Sequence, residues 1–572
     1  MKFVTDLFKG QVPLLAPHLL KDEYATYTEN CGLNRMSLRP SNRMLDTGFT
    51  FDQEPKSIFP HYTVPLEGSP GIDTGVFDGW FWFEYKTKAF FSVLPNDKYD
   101  RIYFLDEDGQ PRITDEDNIT ISGSAPSVVT SWKLGVPAPT SKISGSGVGD
   151  GSSAVIEDRA YVYTFVDRWG AEGPPWDASN IVANVKNDET VNLTNMAAFP
   201  AGYNFTSGKR RIYRAVSGAT RTDYLYIGET TNTTFTDNIP PERLGEVIPT
   251  RTWYPPVDKM EGWAMAPNGA LVGFANNTLY FSMPFLPTAW PPDYQIAINH
   301  DIKGLAAIGS SVAVMTNNNP YVITGVIPMA AQPRKLDLEE ACINADSIVA
   351  IGNTAYYASP NGITAVGQGE AAIMSEGTMT REQWEKFAPE ITEVVNYQDD
   401  FLMFYNATGL PDTNAEHILD RDVALAPVKG AMSMSEGEYY QFWTDYVSAP
   451  VIRPHDETFY GAAEDDGVWR LYEINPVDAT GALERSFIWR SKVILQEKPI
   501  NFACAQIEAD RYPIRFTLWA DGERVFHSEI NSLDIFRLPG GFKARTYQFE
   551  LKAQGEIRKV TMAESVMEMS EL

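Results

Sequence analysis

A mainly β, multidomain fold is what the 572 residues predict, and three observations carry that expectation. First, 42 glycines and 38 prolines stand beside an aromatic content of 12%, a mixture that favours many strands joined by tight turns over long helices. Second, short runs of alternating aromatic and polar residues are punctuated by turn clusters along most of the chain. Third, apolar hairpin patterns beginning near Gly269, Ser310, Gly352 and Gln398 recur at a spacing close to the ~40–50 residues of a propeller blade.

Residues 1–134 read as an N-terminal β platform: GVFDGWFWFEYKTKAFFSVL, PNDKYD and RIYFLDEDG alternate strand-like runs with turn clusters. Before them LLKDEYATYTEN is read as one short helix, on the loose periodicity of Leu20, Ala25 and Tyr27. A boundary follows at VPAPT and GSGVGDGSS, whose Gly, Ser and Pro content marks either a flexible linker or an exposed loop. Over 135–252, AYVYTFVDRW, RRIYRAV and DYLYIGE are alternating strands at the spacing of a β-sandwich. The repeats fill 253–480 and predict a β-propeller-like region, with a plain meander or sandwich as the alternative. TFYGAAEDDGVWRLYEIN, from Thr458, is a candidate further unit. One helix stands out inside this region: Thr380 caps it, Gln383 completes a capping box, Trp384 and Phe387 share a face, and Pro389 ends it. A last β segment, 481–572, includes FTLWADGERVFHSEI and ARTYQFELKAQG and is expected to pack on the platform.

A chain this long exceeds the roughly 250–300 residues at which single cores stop growing, so several domains are expected. Lys and Arg total 47 against 75 Asp and Glu, and the net charge of −28 argues against a sequence-independent clamp on phosphates. A lumen that polyanions slide through would suit that sign, and solubility alone would also account for it. Cys31, Cys342 and Cys504 are distant and odd in number, which predicts buried thiols instead of a disulfide framework or metal knuckle. No apolar run approaches the ~20 residues of a membrane helix, and Asp6 with the neighbouring prolines interrupts any signal-like stretch, so synthesis in the cytoplasm is expected.

The sequence offers no catalytic, cofactor-binding or metal-binding residues. His18, His61, His300, His417, His455 and His527 lack zinc-binding spacing. Asp106–Gly109 (DEDG) and Asp115–Asp117 miss the calcium-loop pattern and read as acidic turns. GxGxxG, GxxxxGK[ST] and GxSxG are absent. Glu464, Asp465 and Asp466 bunch before Gly467, as paired carboxylates do in glycosidases, but neighbouring side chains in a turn diverge. Lys209, Arg210 and Arg211 lie beside Ile212 and Tyr213 and read as solvated edge charges more readily than as a nucleic-acid site.

Several segments resemble the tail nozzle (tail tubular protein B-like) family of short-tailed phages. YVYTFVDRWGAEGPPWDASN, at Tyr161–Asn180, is similar to a fibronectin type III-like module of phage tail proteins, and RRIYRAVSG with DYLYIGETTNTTFTDN continues the pattern. Gly170 and Gly173 would permit its turn, and Pro174 and Pro175 would keep it out of a ladder. Ala289–Tyr294 and Pro320–Gly325 resemble turns of the family's propeller region. Asn30–Asn42, with Arg35-Met36-Ser37-Leu38 replacing the usual Gly-x-Leu turn, resembles its N-terminal segment, and Phe536–Pro539 with Ala563–Ser565 its closing strands. The resemblance implies a non-enzymatic virion protein at the tail tip, a homohexameric ring conducting double-stranded DNA as passing cargo. Its implied partners are a head-to-tail adaptor and portal assembly, tail fibres and the host outer surface. Two alternatives stay open: a virion-associated glycan-degrading enzyme, and a glycan-binding spike.

Overall fold

The computed structural model describes residues 2–33, 37–63, 76–92, 94, 97–217, 222–325, 330–406, 429–435, 437–454, 456–476 and 484–570. They are nearly all β, arranged in multiple sheets; the α-helices among them are Arg381–Glu385 and Val566–Ser570. Arg35, Met36, His417 and His455 lie outside the described residues.

Four consecutive antiparallel meanders account for the repeat. Each repeat start falls at or beside the second strand of a four-stranded meander, and the first strands are Gly262–Met265, Ile302–Ile308, Val349–Ile351 and Glu393–Tyr397; the first three meanders are separate sheets and the fourth runs on into a ten-stranded sheet. Turn chemistry sets the hairpins: Gln398 and Asp399 both take positive φ, at 54° and 66°, between strands Glu393–Tyr397 and Asp400–Asn406. The unit begun by Ser448–Arg453 has three strands of its own, and Leu45–Phe51 supplies the fourth by pairing antiparallel with Val468–Glu473.

That pairing corrects the expected N-terminal platform. Residues 45–133 build a sixth unit from Ser57–Thr63 and Val76–Phe83, and a seventh from Phe90–Phe91, Ile102–Leu105, Pro111–Thr114 and Trp132–Lys133. The physical reason is edge satisfaction: a three-stranded unit leaves a ladder of backbone groups open, and the remote segment closes it while burying Phe51 against Trp82.

The first strands touch in order around a ring, each against the next from Gly262–Met265 through Ser448–Arg453 to Ser57–Thr63. Ser57 then accepts from the Thr87 N–H at 3.0 Å, and the Trp263 indole donates to the Lys88 carbonyl at 2.9 Å. The arrangement is propeller-like.

Strand Ala25–Glu29 replaces the short helix expected there. It inserts between Tyr439–Trp443 and Phe487–Ser491 in a ten-stranded sheet, where its Thr-Tyr-Thr core suits the pleat better than a helix. Lys2–Thr5 pairs with Ile557–Ala563, so both ends of the chain share one core in which Phe8 meets Trp489 edge-on at 5.1 Å. The helix expected at Thr380 is present, with the reciprocal capping box to Gln383 and Trp384 and Phe387 buried.

Residues 135–252 form a separate sandwich between the seventh unit and the one begun by Gly262–Met265. Tyr161, Tyr163 and Phe165 pack with Val191, Leu193 and Ile212 in its core. Gly170 takes φ +86°, whereas Gly173 is required for closeness: a Cβ there would lie 2.4 Å from the Val136 carbonyl oxygen. Two expectations change here. Strand Lys209–Ser217 is central, so Arg210 is buried, with its guanidinium 4.0 Å from the centre of the Phe199 ring, and Arg211 pairs with Glu172 at 2.8 Å. The Gly-rich loop is pinned rather than free, because the Asp188 carboxylate accepts N–H bonds from Ser152 and Ser153 and holds a pKa of about 2.

Candidate functional site

A cavity of about 740 Å³ lies among the first strands of the propeller-like ring, within the roughly 300–1,000 Å³ typical of ligand pockets. Every unit of the ring contributes to it. Ile58 and Val451 line it from their units' first strands, Trp263 and Leu305 from the next two, and Ile348 and Val394 complete the circle. Close strand approach shapes the wall: a Cβ on Gly304 would lie 2.3 Å from the Ile348 side chain.

Charge is distributed unevenly around this wall. Lys86 pairs with Glu393 at 2.7 Å, and Lys56 with Glu54 at 2.7 Å. Asp106 is occupied by its own turn, accepting the Gln110 N–H at 2.8 Å, while Gly109 takes φ +83°. The DEDG sequence is therefore an acidic turn, and it forms one side of the cavity. Lys88 and Lys303 make no ion pair among the described residues, and both are reached by solvent within the cavity. Protein crowded around Lys88 lowers its pKa, an effect opposed by Asp346. Both ammonium groups act on one thiol, Cys342, whose pKa burial pushes up to about 12 against their pull.

Other sequence landmarks lie apart from this cavity. Asp466 and Gly467 form the positive-φ turn of a hairpin, leaving Glu464 and Asp465 on its strand end. His61 is buried with Nδ1 2.6 Å from Asp78, and His527 bonds Thr517 at 2.9 Å. No group of three or more His, Cys, Asp or Glu suited to a metal ion occurs among the described residues. All three cysteines are free and buried. Neither Lys88 nor Lys303 could be found by motif: each is a single residue on a different unit, and only the assembled ring puts both in the wall of one cavity.

No family model matches the chain, and no curated protein does. Among solved structures it is similar to BBS1N, solved in complex with ARL6DN, at 11% identity over 77% of this chain and 99% of that one, with a TM-score of 0.29. It is similar to the AfRom2 CNH domain at 11% identity, covering 45% and 93%, with a TM-score of 0.22. PorZ, a bacterial surface component of the type-IX secretion system of Porphyromonas gingivalis, matches at 11% identity over 72% and 55%, with a TM-score of 0.18. At such scores the fold class rests on this chain's own strands and sheets.

Proposed function

We propose that the protein is a structural subunit of a short-tailed phage tail nozzle, a six-fold ring that retains genomic DNA and conducts it during ejection. The observation that carries this reading is the family-like sequence of the 135–252 module together with its contacts to the seventh unit of the ring. Trp132 and Trp169 meet edge-on at 5.6 Å, Arg168 pairs with Asp117 at 2.9 Å, and the Lys133 N–H donates to the Gly202 carbonyl at 2.8 Å. A heterologous ring needs two different surfaces on each rigid subunit. Val155, Ile156 and Ile181 stand exposed on the sandwich, and Leu14, Leu15 and Leu19 on the N-terminal segment, as surfaces that neighbouring copies would cover. The charge of −28 per copy suits a channel wall that does not hold DNA.

Adaptor, portal and tail fibres are the partners this reading assigns, with the virion tail tip as the location. Cryo-electron microscopy of virions carrying an epitope-tagged chain tests it. Six-fold density at the distal tail supports the proposal. Density elsewhere on the particle, or turnover of host saccharides by the purified protein, overturns it.

A further inference from the structure

We propose that copies of this chain join through a charge-complementary contact, in which the acidic hairpin tip Glu464–Gly467 of one copy seats on the cationic sheet face around Arg515 and Lys552 of the next. Net charge is divided unevenly along the chain. Residues 1–44 and 481–572, whose buried residues share one core, carry 19 Lys and Arg against 17 Asp and Glu, whereas 45–480 carry 28 against 58. Two copies at −28 each repel wherever ring or sandwich surfaces meet, so the body built from the chain ends is where a neighbour's acidic surface can rest.

One face of that body breaks a rule of strand pairing. Arg515, on strand Ile514–Ala520, lies directly opposite Lys552, on strand Ala544–Ala553, so two like charges leave the same side of the sheet at neighbouring positions, which costs stability. The chain offsets them only in part: Arg515 meets Glu529 at 3.2 Å, and Lys552 makes no ion pair among the described residues. Both side chains are exposed and, with Arg511, line a hollow of about 370 Å³ in which Glu529 is the single acid; Arg511 is itself paired with Glu484. A local rule broken without full compensation inside the chain points to a role at the surface.

The hairpin tip supplies the opposite charge. Asp466 and Gly467 turn the chain between strands Thr458–Asp465 and Val468–Glu473 with φ of 50° and 78°, and Glu464, Asp465 and Asp466 stand exposed with no ion pair among the described residues. Tip and sheet face are different surfaces of one subunit, as a heterologous ring requires. The contact deepens the six-fold assembly proposed above and rests on it for ring closure alone.

The test uses full-length protein in sedimentation velocity over a concentration series, at low and at high salt, with Lys552→Glu, Asp465→Lys and the double variant carrying both. Self-association that salt weakens, that falls at least tenfold in each single variant and that returns in the double variant is expected. A second measurement needs no variant: carbodiimide cross-linking of mixed isotopically light and heavy wild-type copies should join Lys552 to Glu464, Asp465 or Asp466 across copies. Wild type sedimenting as a monomer throughout, association indifferent to both single variants, or cross-links at Lys552 confined to one chain would overturn the contact. Capture of a DNA duplex by this face without association between copies would overturn it as well. Virions lacking the chain at the tail tip would instead remove the nozzle reading and leave the contact standing.

Discussion

The indole N–H of Trp169, in the sandwich, donates to the Asp115 carboxylate, in the ring, at 3.1 Å. Together with the Trp132 contact, this bond fixes the orientation of the inserted module. Trp169→Ala removes both interactions and should cost about 1–3 kcal/mol locally. Limited proteolysis near 134–136 and 248–252 should accelerate in the variant, with the far-ultraviolet circular dichroism unchanged. Cleavage at the wild-type rate would show that the module is held by other contacts.

Asp237 is the anionic centre of the sandwich. Its buried carboxylate accepts from the Tyr161 hydroxyl at 2.8 Å and pairs with Arg214 at 3.1 Å, with Arg159 at 3.8 Å. Asp237→Ala leaves the buried Arg214 with only the Ile239 carbonyl as acceptor, while Arg159 keeps Glu157 at 2.6 Å, and removing one partner of a buried ion pair costs roughly 3–5 kcal/mol. Urea unfolding should register an early transition in this variant that the wild type lacks.

Phe51 tests the long-range completion of the unit begun by Ser448–Arg453. It is buried against Trp82 at 5.5 Å on the strand that completes the Val468–Glu473 edge. Phe51→Ala should destabilise by about 3–5 kcal/mol. Hydrogen exchange should quicken in 468–473 as well as in 45–51, because one ladder serves both segments.

A pH dependence follows from Asp167. Burial raises its pKa to about 7, despite the Ala171 N–H bond at 2.8 Å and the nearby Arg101. In the unfolded chain the group titrates near ~3.9. The folded state therefore binds more protons between these values, so this residue's contribution to stability is complete below about pH 4, declines as pH rises towards 7, and is level above. Asp167→Asn stays neutral and keeps an acceptor for Ala171. Its Tm advantage over the wild type should grow from pH 4 to pH 7, and an advantage independent of pH would contradict the assignment.

Local patterns alone determined a good deal. The β class, the hairpins at Gly269, Ser310, Gly352 and Gln398, the Thr380–Gln383 capping box and the buried thiols all follow from spacing, turn residues and apolar periodicity, which act over a few neighbouring positions. Tertiary structure decided what those patterns could not encode: Leu45–Phe51 joining the Val468–Glu473 edge, Ala25–Glu29 becoming a strand between two remote partners, Lys209–Ser217 lying centrally, and Lys88 and Lys303 lining one cavity. Each depends on which open edge or charge a distant segment finds. That choice is set by the free energy of the assembled sheets, to which no short stretch of sequence has access.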